Sequence, residues 1–145
     1  MTAPATSPAD ELRAAANRLR GLAAAATPGT WRAEKLPPNE HNRHAAHWVK
    51  TKYTDTGSDT STSEVVADCP WRQADADYIA AMHPAVGSAL ADWLEAAALA
   101  HDAAVKAAAG VWPDAHEAAE RDAWIAGQTD QPALAVARKI LGRQQ

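Results

Sequence analysis

In the first part of the chain, apolar residues recur every three to four positions, which is the spacing of one helix face. Ser7 can cap such a helix and Pro8 suits its first turn. Thr27-Pro28-Gly29 ends it, because proline cannot continue a helix and glycine accepts a positive φ in a turn. The pattern predicts an N-terminal helix over residues 7–26, whose apolar stripe is Leu12, Ala15, Ala16, Leu19, Leu22, Ala23 and Ala26.

The next part of the chain alternates between apolar and polar residues and is rich in β-branched and aromatic side chains. Strands are expected at residues 31–36, 47–54 and 64–69. Residues 55–63 are almost all Thr, Ser, Asp and Gly, which is typical of a loop. Three strands joined by short connections most simply form an antiparallel meander, so we predict a small antiparallel sheet over residues 31–69.

Helical spacing returns at residue 73 and continues to the C-terminal region. A short helix carries Asp75 in its first turn, and a longer helix begins at Pro84 and ends at Gly110. Weaker signals predict a helix over residues 113–126 and a terminal helix that Thr129 or Asp130 caps. The predicted buried stripe of the long helix is Val86, Leu90, Trp93, Leu94, Ala97, His101 and Val105. The helical part is expected to span residues 73–142.

These elements predict an α+β fold with an N-terminal helix, a three-stranded antiparallel meander and a helical C-terminal half. A chain of 145 residues is expected to form one domain over residues 1–145. About a quarter of the residues are alanine and phenylalanine is absent, so we expect a thin core that depends on six Trp, two Tyr and the scattered aliphatic residues.

Charge and cysteine content narrow the function classes. The net charge of −4 argues against a general nucleic-acid binder, and the acidity is concentrated: residues 73–130 contain ten acidic and two basic residues. One cysteine excludes an intramolecular disulfide and fits a reducing compartment. The sequence begins without the features of a signal peptide and has no apolar run long enough to span a bilayer. We therefore expect a cytoplasmic location, without membrane contact.

Two segments carry a family resemblance: Thr27-Pro28-Gly29-Thr30-Trp31, and Ala74-Asp75-Ala76-Asp77-Tyr78-Ile79-Ala80. Together with Val66-Ala67, Pro84, Leu90 and Leu94, they resemble the Ead-like early proteins of temperate phages and related small actinobacterial and actinophage proteins. The resemblance covers residues 12–97, and Thr30 departs from it where the family favours Pro. It implies a phage accessory protein from a family with no established biochemical activity. The motif positions are expected to be structural: Pro28, Gly29, Trp31, Asp75, Tyr78, Ile79 and Pro84.

Candidate chemistry is sparse. His41, His44, His47 and Cys69 form the one grouping that resembles a metal site. Zinc needs four converging ligands, whereas a spacing of three residues in an extended chain sends successive side chains to opposite faces. Cys69 also lacks the orienting third group of a nucleophile–base pair. We therefore expect no metal, no cofactor and no catalytic residues.

Three functions are compatible with this sequence. The leading hypothesis is a non-enzymatic phage or mobile-element accessory protein, which binds and modulates a host protein through its acidic helices and tryptophans. The second is a sheet-based nucleic-acid-binding regulator that uses Arg32, Lys35, Lys50 and Lys52 with Trp31, Trp48 and Tyr53. The acidic helical half opposes phosphate binding, so nucleic acid is not the expected partner. The third is a metal-dependent enzyme.

The alanine-rich helix over residues 84–109 also suggests self-association. Alanine faces allow two helices to approach closely, so a homodimer through this helix is expected.

Overall fold

The computed structural model describes residues 6–38, 46–54, 61–69 and 72–142. The chain forms two compact units, residues 22–87 and residues 1–21 with 88–145. Whether these units make the single domain expected from the sequence stays a prediction. The elements in chain order are α1 (Pro8–Ala25), β1 (Thr30–Leu36), β2 (Ala46–Thr54), β3 (Ser61–Asp68), α2 (Gln73–Ala81), α3 (Pro84–Val111), a 3-10 turn (Ala115–Glu117), α4 (Ala118–Gln128) and α5 (Gln131–Ile140).

The three strands form one antiparallel sheet in the order β1-β2-β3. The α+β class and the meander predicted from the sequence are therefore confirmed. The β1–β2 register runs from Thr30 opposite Lys52 to Leu36 opposite Ala46, and a bulge interrupts the β2–β3 pairing between Val49 and Lys50. β3 begins at Ser61, three residues before the predicted start. The remainder of the predicted loop, residues 55–60, lies outside the described residues.

The turn that precedes the sheet is tied to the central strand. Gly29 has a φ of 95°, and a Cβ at this position would lie 2.5 Å from both the carbonyl oxygen of Lys52 and the Oγ1 of Thr51. The indole Nε1 of Trp31 donates a hydrogen bond to the carbonyl oxygen of Thr27 at 3.0 Å. Glycine is thus required here by both conformation and space.

Helix α2 covers one face of the sheet, the face on which Val49 and Thr51 are buried. Ala76 is fully buried and Ile79 is half-buried, so both lie on the packed side of α2. Tyr78 is 70% exposed, because it follows Ala76 by two residues and therefore projects from the other side of the helix. Tyr78 is one of the motif positions expected to be structural, and its exposure shows that it is not part of the packing between α2 and the sheet.

The helical unit has a core made mainly of alanine. Its buried members are Ala9, Leu12, Ala15, Ala16, Ala91, Leu94, Ala97, Ala98, Ala133, Leu134 and Ala137. Such small side chains let helices pack at short interaxial distances. No tryptophan among the described residues is fully buried, so the expectation of a tryptophan-based core is wrong for this part of the chain.

The buried face of α3 differs from the predicted stripe. Leu94, Ala97 and His101 are buried as expected, but Trp93 and Val105 are 38% and 42% exposed. The face turns instead toward small residues: Ala91, Ala98, Ala104 and Ala108. The predicted and the observed buried faces of α3 both have helical spacing. In the closely packed core, alanines rather than the larger side chains occupy the buried positions.

The helix ends follow local signals. At the start of α1, the backbone amide of Asp10 donates to the Ser7 hydroxyl at 3.1 Å, as the predicted cap requires. At α5, Asp130 is the capping residue, since its carboxylate accepts from the backbone amide of Ala133 at 2.9 Å. Gly142, with a φ of 73°, follows the last turn. Within the described ranges, no helix combines the length and the apolarity needed to cross a membrane.

Candidate functional site

The acidic residues of α3 are paired with arginines of α1. Arg13 forms an ion pair with Asp102 and lies 3.8 Å from Glu95. Arg20 contacts Asp92 at 3.1 Å and Glu95 at 3.4 Å. The charge asymmetry that the sequence predicts for the helical half is therefore partly cancelled in three dimensions.

These contacts fix the protonation of the two arginines. The hydrogen bond to Asp102 raises the pKa of Arg13 above its ordinary value, and the hydrogen bond to Asp92 does the same for Arg20. Both guanidinium groups thus stay charged at any pH at which the protein is studied. Their role is to hold α1 against α3 and to neutralise the α3 carboxylates.

A third pair lies at the edge of the core. Arg138 on α5 approaches Glu11 on α1 at 3.1 Å, and Glu11 is only 8% exposed. A carboxylate with so little access to water needs such a partner, because burying an unpaired charge is costly. Glu11 and Arg138 therefore belong to the scaffold.

The outward face of α3 is apolar along most of the helix. Side chains at spacings of three and four residues are exposed there, and none of them is charged: Trp93, Ala96, Ala100, Ala103, Ala107 and Val111. We call this set the α3 apolar stripe. Trp93 is 38% and Val111 is 64% exposed. At 1.5 Å per residue the stripe is about 27 Å long.

Two further tryptophans lie immediately beyond the end of α3. The ring centroids of Trp112 and Trp124 are 5.8 Å apart, with an angle of 50° between the ring planes. Trp124 is 37% exposed, whereas Trp112 is half-buried. A tilted aromatic pair of this kind is stabilised by its ring quadrupoles and presents one rigid edge.

Next to this pair is a group of potential ligand atoms that the sequence analysis missed. Asp114, His116 and Glu117 each place one such atom within 4.8 Å of the others. The only signal in the sequence is the short spacing of these three residue types. Asp114 and His116 are exposed, and exposed acidic groups of this kind are common without a metal.

Of the metal-ligand candidates from the sequence, the structure describes two. The backbone amide of Cys69 donates to the carbonyl oxygen of His47 at 2.7 Å, so the two residues are neighbours across β2 and β3. His47 is buried and its Nδ1 has no hydrogen-bond partner among the described residues, whereas Cys69 is a half-buried free thiol. His41 and His44 lie outside the described residues.

The basic residues of the second hypothesis separate onto two faces of the sheet. Arg32, Lys50 and Lys52 lie on the face opposite α2, as the pairing of Arg32 with Lys50 requires. On the same face Lys50 contacts Glu34 at 3.2 Å and sits 4.9 Å from the ring centroid of Trp48. Lys35 pairs with buried His47 and so belongs to the α2 side.

A small apolar pocket lies beside the buried His101. The Thr129 hydroxyl donates to the carbonyl oxygen of Ile125 at 2.9 Å, so at 2.9 Å from the ring it accepts from Nδ1–H of His101. This hydrogen bond gives His101 Nδ1 and the Thr129 hydroxyl a partner inside the helical unit. A structural role accounts for His101, although it also lines the pocket with Ile125 and Leu134.

The remaining motif residues have structural positions. Pro28 and Gly29 form the turn before β1, and Trp31 packs half-buried beside it. Asp75 lies in the first turn of α2, 4.0 Å from Arg72, and Pro84 is the first residue of α3.

The comparisons with known proteins give one result. No curated protein and no solved structure matches the chain. The model of the Ead/Ea22-like protein family matches residues 12–141, which covers both compact units and extends well past the segments that carry the resemblance in the sequence. The chain therefore belongs to the Ead/Ea22-like proteins, a family of phage proteins.

Proposed function

We propose that this phage early or accessory protein binds and modulates a protein of the bacterial host, without enzymatic activity, through the α3 apolar stripe. The observation that carries the proposal is the exposure of six uncharged side chains in succession on one helix, with Trp93 and Val111 at the two ends. Single exposed apolar residues are ordinary, but a contiguous apolar surface marks an interaction site.

The composition of the stripe suits a helix-docking interface. Partner proteins read a helix face through anchors at spacings of three, four and seven residues. Trp93 is the natural anchor, because tryptophan is enriched among the residues that dominate binding energy. The alanines between Trp93 and Val111 allow close approach of a partner backbone.

This proposal assigns the contact to apolar residues rather than to acids. Asp92, Glu95 and Asp102 are paired with Arg13 and Arg20, and of these three acids Asp92 lies beside the stripe on the helix surface. Interfaces typically have an apolar centre and a polar rim, and charged residues are depleted at the centre. In this proposal the paired Asp92 belongs to the rim, and the centre is the run of exposed alanines between Trp93 and Val111.

The test is a substitution at the middle of the stripe. Ala100→Arg places a charge where a partner would bury apolar surface, and arginine keeps a helix propensity close to that of alanine. The matched control is Ala14→Arg, which adds the same charge at an exposed alanine of α1. Immobilised wild-type protein and both variants are incubated with host lysate, and the captured protein is then purified and titrated directly.

We expect a host protein that binds wild type and Ala14→Arg with equal affinity and binds Ala100→Arg at least tenfold more weakly. Circular dichroism melts confirm that all three proteins are folded. Equal binding by Ala100→Arg would exclude the stripe as the contact. Loss of binding in both variants would indicate a response to net charge, which also contradicts the proposal.

A further inference from the structure

The face of the sheet opposite α2 is ordered into three cross-strand rows. Strand pairing sets their membership: Thr30, Lys52 and Ser63 in the first row; Arg32, Lys50 and Val65 in the second; Glu34, Trp48 and Asp68 in the third. We call this surface the outer sheet face. Its basic side chains occupy the first two rows, and its two carboxylates occupy the third.

The cations of the first two rows differ in their partners. Lys50 is held by Glu34 at 3.2 Å and lies over the Trp48 ring. Arg32 and Lys52 are exposed, and within the described ranges neither has a carboxylate partner. As diagonal neighbours across two strands, their Cβ atoms lie about 7–8 Å apart. Two unpaired cations at this separation repel each other weakly and favour an anion between them.

A groove runs across these two rows. It has a volume of about 310 Å³ and is lined by Glu34, which is paired with Lys50, by the basic residues Arg32, Lys50 and Lys52, and by the hydroxyl-bearing residues Thr30, Thr51 and Ser63. Guanidinium, ammonium and hydroxyl groups are the side-chain donors that contact phosphate oxygens in nucleic-acid complexes. The groove therefore has the donor set for a phosphate backbone.

We propose that the outer sheet face binds single-stranded nucleic acid, with the phosphates along the first two rows and the bases toward Trp48. Exposed strands with basic and aromatic side chains use this arrangement, because a single strand can direct its bases onto the sheet while its backbone follows the cations. The carboxylates of Glu34 and Asp68 flank Trp48, where they repel phosphate and can accept hydrogen bonds from base amino groups.

The acidic helical half opposes this site less than its sequence predicts. Three of its ten acidic residues, Asp92, Glu95 and Asp102, are paired with two arginines of α1. The proposal uses only residues 22–87 and does not depend on the α3 apolar stripe. Each can fail without the other.

The test is fluorescence anisotropy with a labelled oligo(dC) of about 12 nucleotides, a length within the site sizes of single-strand binders. Two substitutions remove the unpaired cations, Arg32→Gln and Lys52→Gln, and are combined in a double variant. Lys35→Gln is the matched control, since it removes the same charge from β1 on the α2 side of the sheet. Thermal melts confirm folding.

We expect wild type and Lys35→Gln to bind alike and the double variant to bind at least tenfold more weakly. Two or three neutralised phosphates predict a loss of affinity of about 7- to 18-fold between about 50 and about 200 mM salt. Equal weakening by Lys35→Gln, or no binding at the lower salt concentration, would overturn the proposal. Displacement of the strand by an equimolar mononucleotide or phosphopeptide would also overturn it, because the groove would then take an isolated phosphoryl group.

Discussion

The hydroxyl of Thr51 donates a hydrogen bond of 2.7 Å to the carbonyl oxygen of Pro28, 23 residues earlier in the chain. Thr51 is 1% exposed and lies in the centre of β2, so this bond fastens the turn before β1 to the middle strand. The neighbouring Gly29 adopts a positive φ directly against the same hydroxyl. The Thr27-Pro28-Gly29 turn of the family resemblance is therefore held against the central strand of the sheet.

Gly29→Ala is predicted to destabilise the sheet unit by on the order of 2 kcal/mol or more. The added Cβ would meet the Lys52 carbonyl and the Thr51 hydroxyl, and alanine disfavours a positive φ. Gly127→Ala is the control, because it lies within α4 with nothing within 4 Å and should stabilise by up to about 1 kcal/mol. Urea denaturation of both variants measures the difference, and equal stabilities would show that the turn tolerates a side chain.

Trp31→Ala is predicted to destabilise the protein by about 2–3 kcal/mol. The substitution removes a half-buried ring and leaves the Thr27 carbonyl without its indole donor. Trp31→Phe keeps most of the ring and loses only the hydrogen bond, so its loss should be about 1 kcal/mol. Denaturation midpoints that match wild type for Trp31→Ala would instead place Trp31 among surface residues available for binding.

Removal of Arg13 is predicted to lower the melting temperature in a way that depends on salt but not on pH near neutrality. Arg13→Gln removes the partner of Asp102 and leaves Glu95 with Arg20 alone, and high salt screens the repulsion between these carboxylates. The raised pKa of Arg13 means that its contribution is complete below the ordinary arginine pKa and is lost only as pH rises beyond it. The difference in melting temperature should thus be constant between about pH 6 and pH 9. A difference that changes across this interval would show that another group controls the pair.

The purified protein is predicted to carry no stoichiometric metal. His47 and Cys69 supply two neighbouring groups, and Asp114, His116 and Glu117 form a separate, largely exposed cluster. Within the described residues, neither set provides the four protein ligands of a structural zinc site. Elemental analysis of wild type tests this prediction. About one zinc per chain would contradict it, and its loss in Cys69→Ala or in His116→Ala would identify which set binds.

Local signals in the sequence are sufficient to predict the helices and strands. They do not predict which side chains are buried. Two helix caps, Ser7 and Asp130, and one turn residue, Gly29, show this. Each acts only on the residues next to it, so the local sequence predicts its role. The helical spacing predicts that Trp93 is buried, whereas the core of the helical unit is made mainly of alanine and Trp93 is 38% exposed.

Long-range pairing is a second feature that the sequence does not reveal. Arg13 and Asp102 are 89 residues apart, and no periodicity within either segment indicates their contact. The sequence therefore shows the acidity of the helical half but not the arginines that pair with part of it. The sequence likewise does not show which basic residues share the outer sheet face. The strand register places Lys35 on the opposite face from Arg32, Lys50 and Lys52.

Self-association through helix 84–109 remains a prediction, and the structure supplies the surface on which it depends. The α3 apolar stripe is uncharged, and Ala100 lies near its middle, so two copies could pack antiparallel about a two-fold axis near this residue. Residues 73–130 contain ten acidic and two basic residues, so screening of the net repulsion between copies should strengthen a dimer as the Debye length falls from about 10 Å at 0.1 M to about 3 Å at 1 M salt. Sedimentation at both salt concentrations should therefore show a dimer that is more populated at the higher one and absent for Ala100→Arg.

Because host binding is proposed for the same stripe, a dimer would have to dissociate before the partner binds, and the apparent affinity for the partner should fall as protein concentration rises. A monomer at tens of micromolar in both salts would exclude the dimer and leave the stripe open for the host protein.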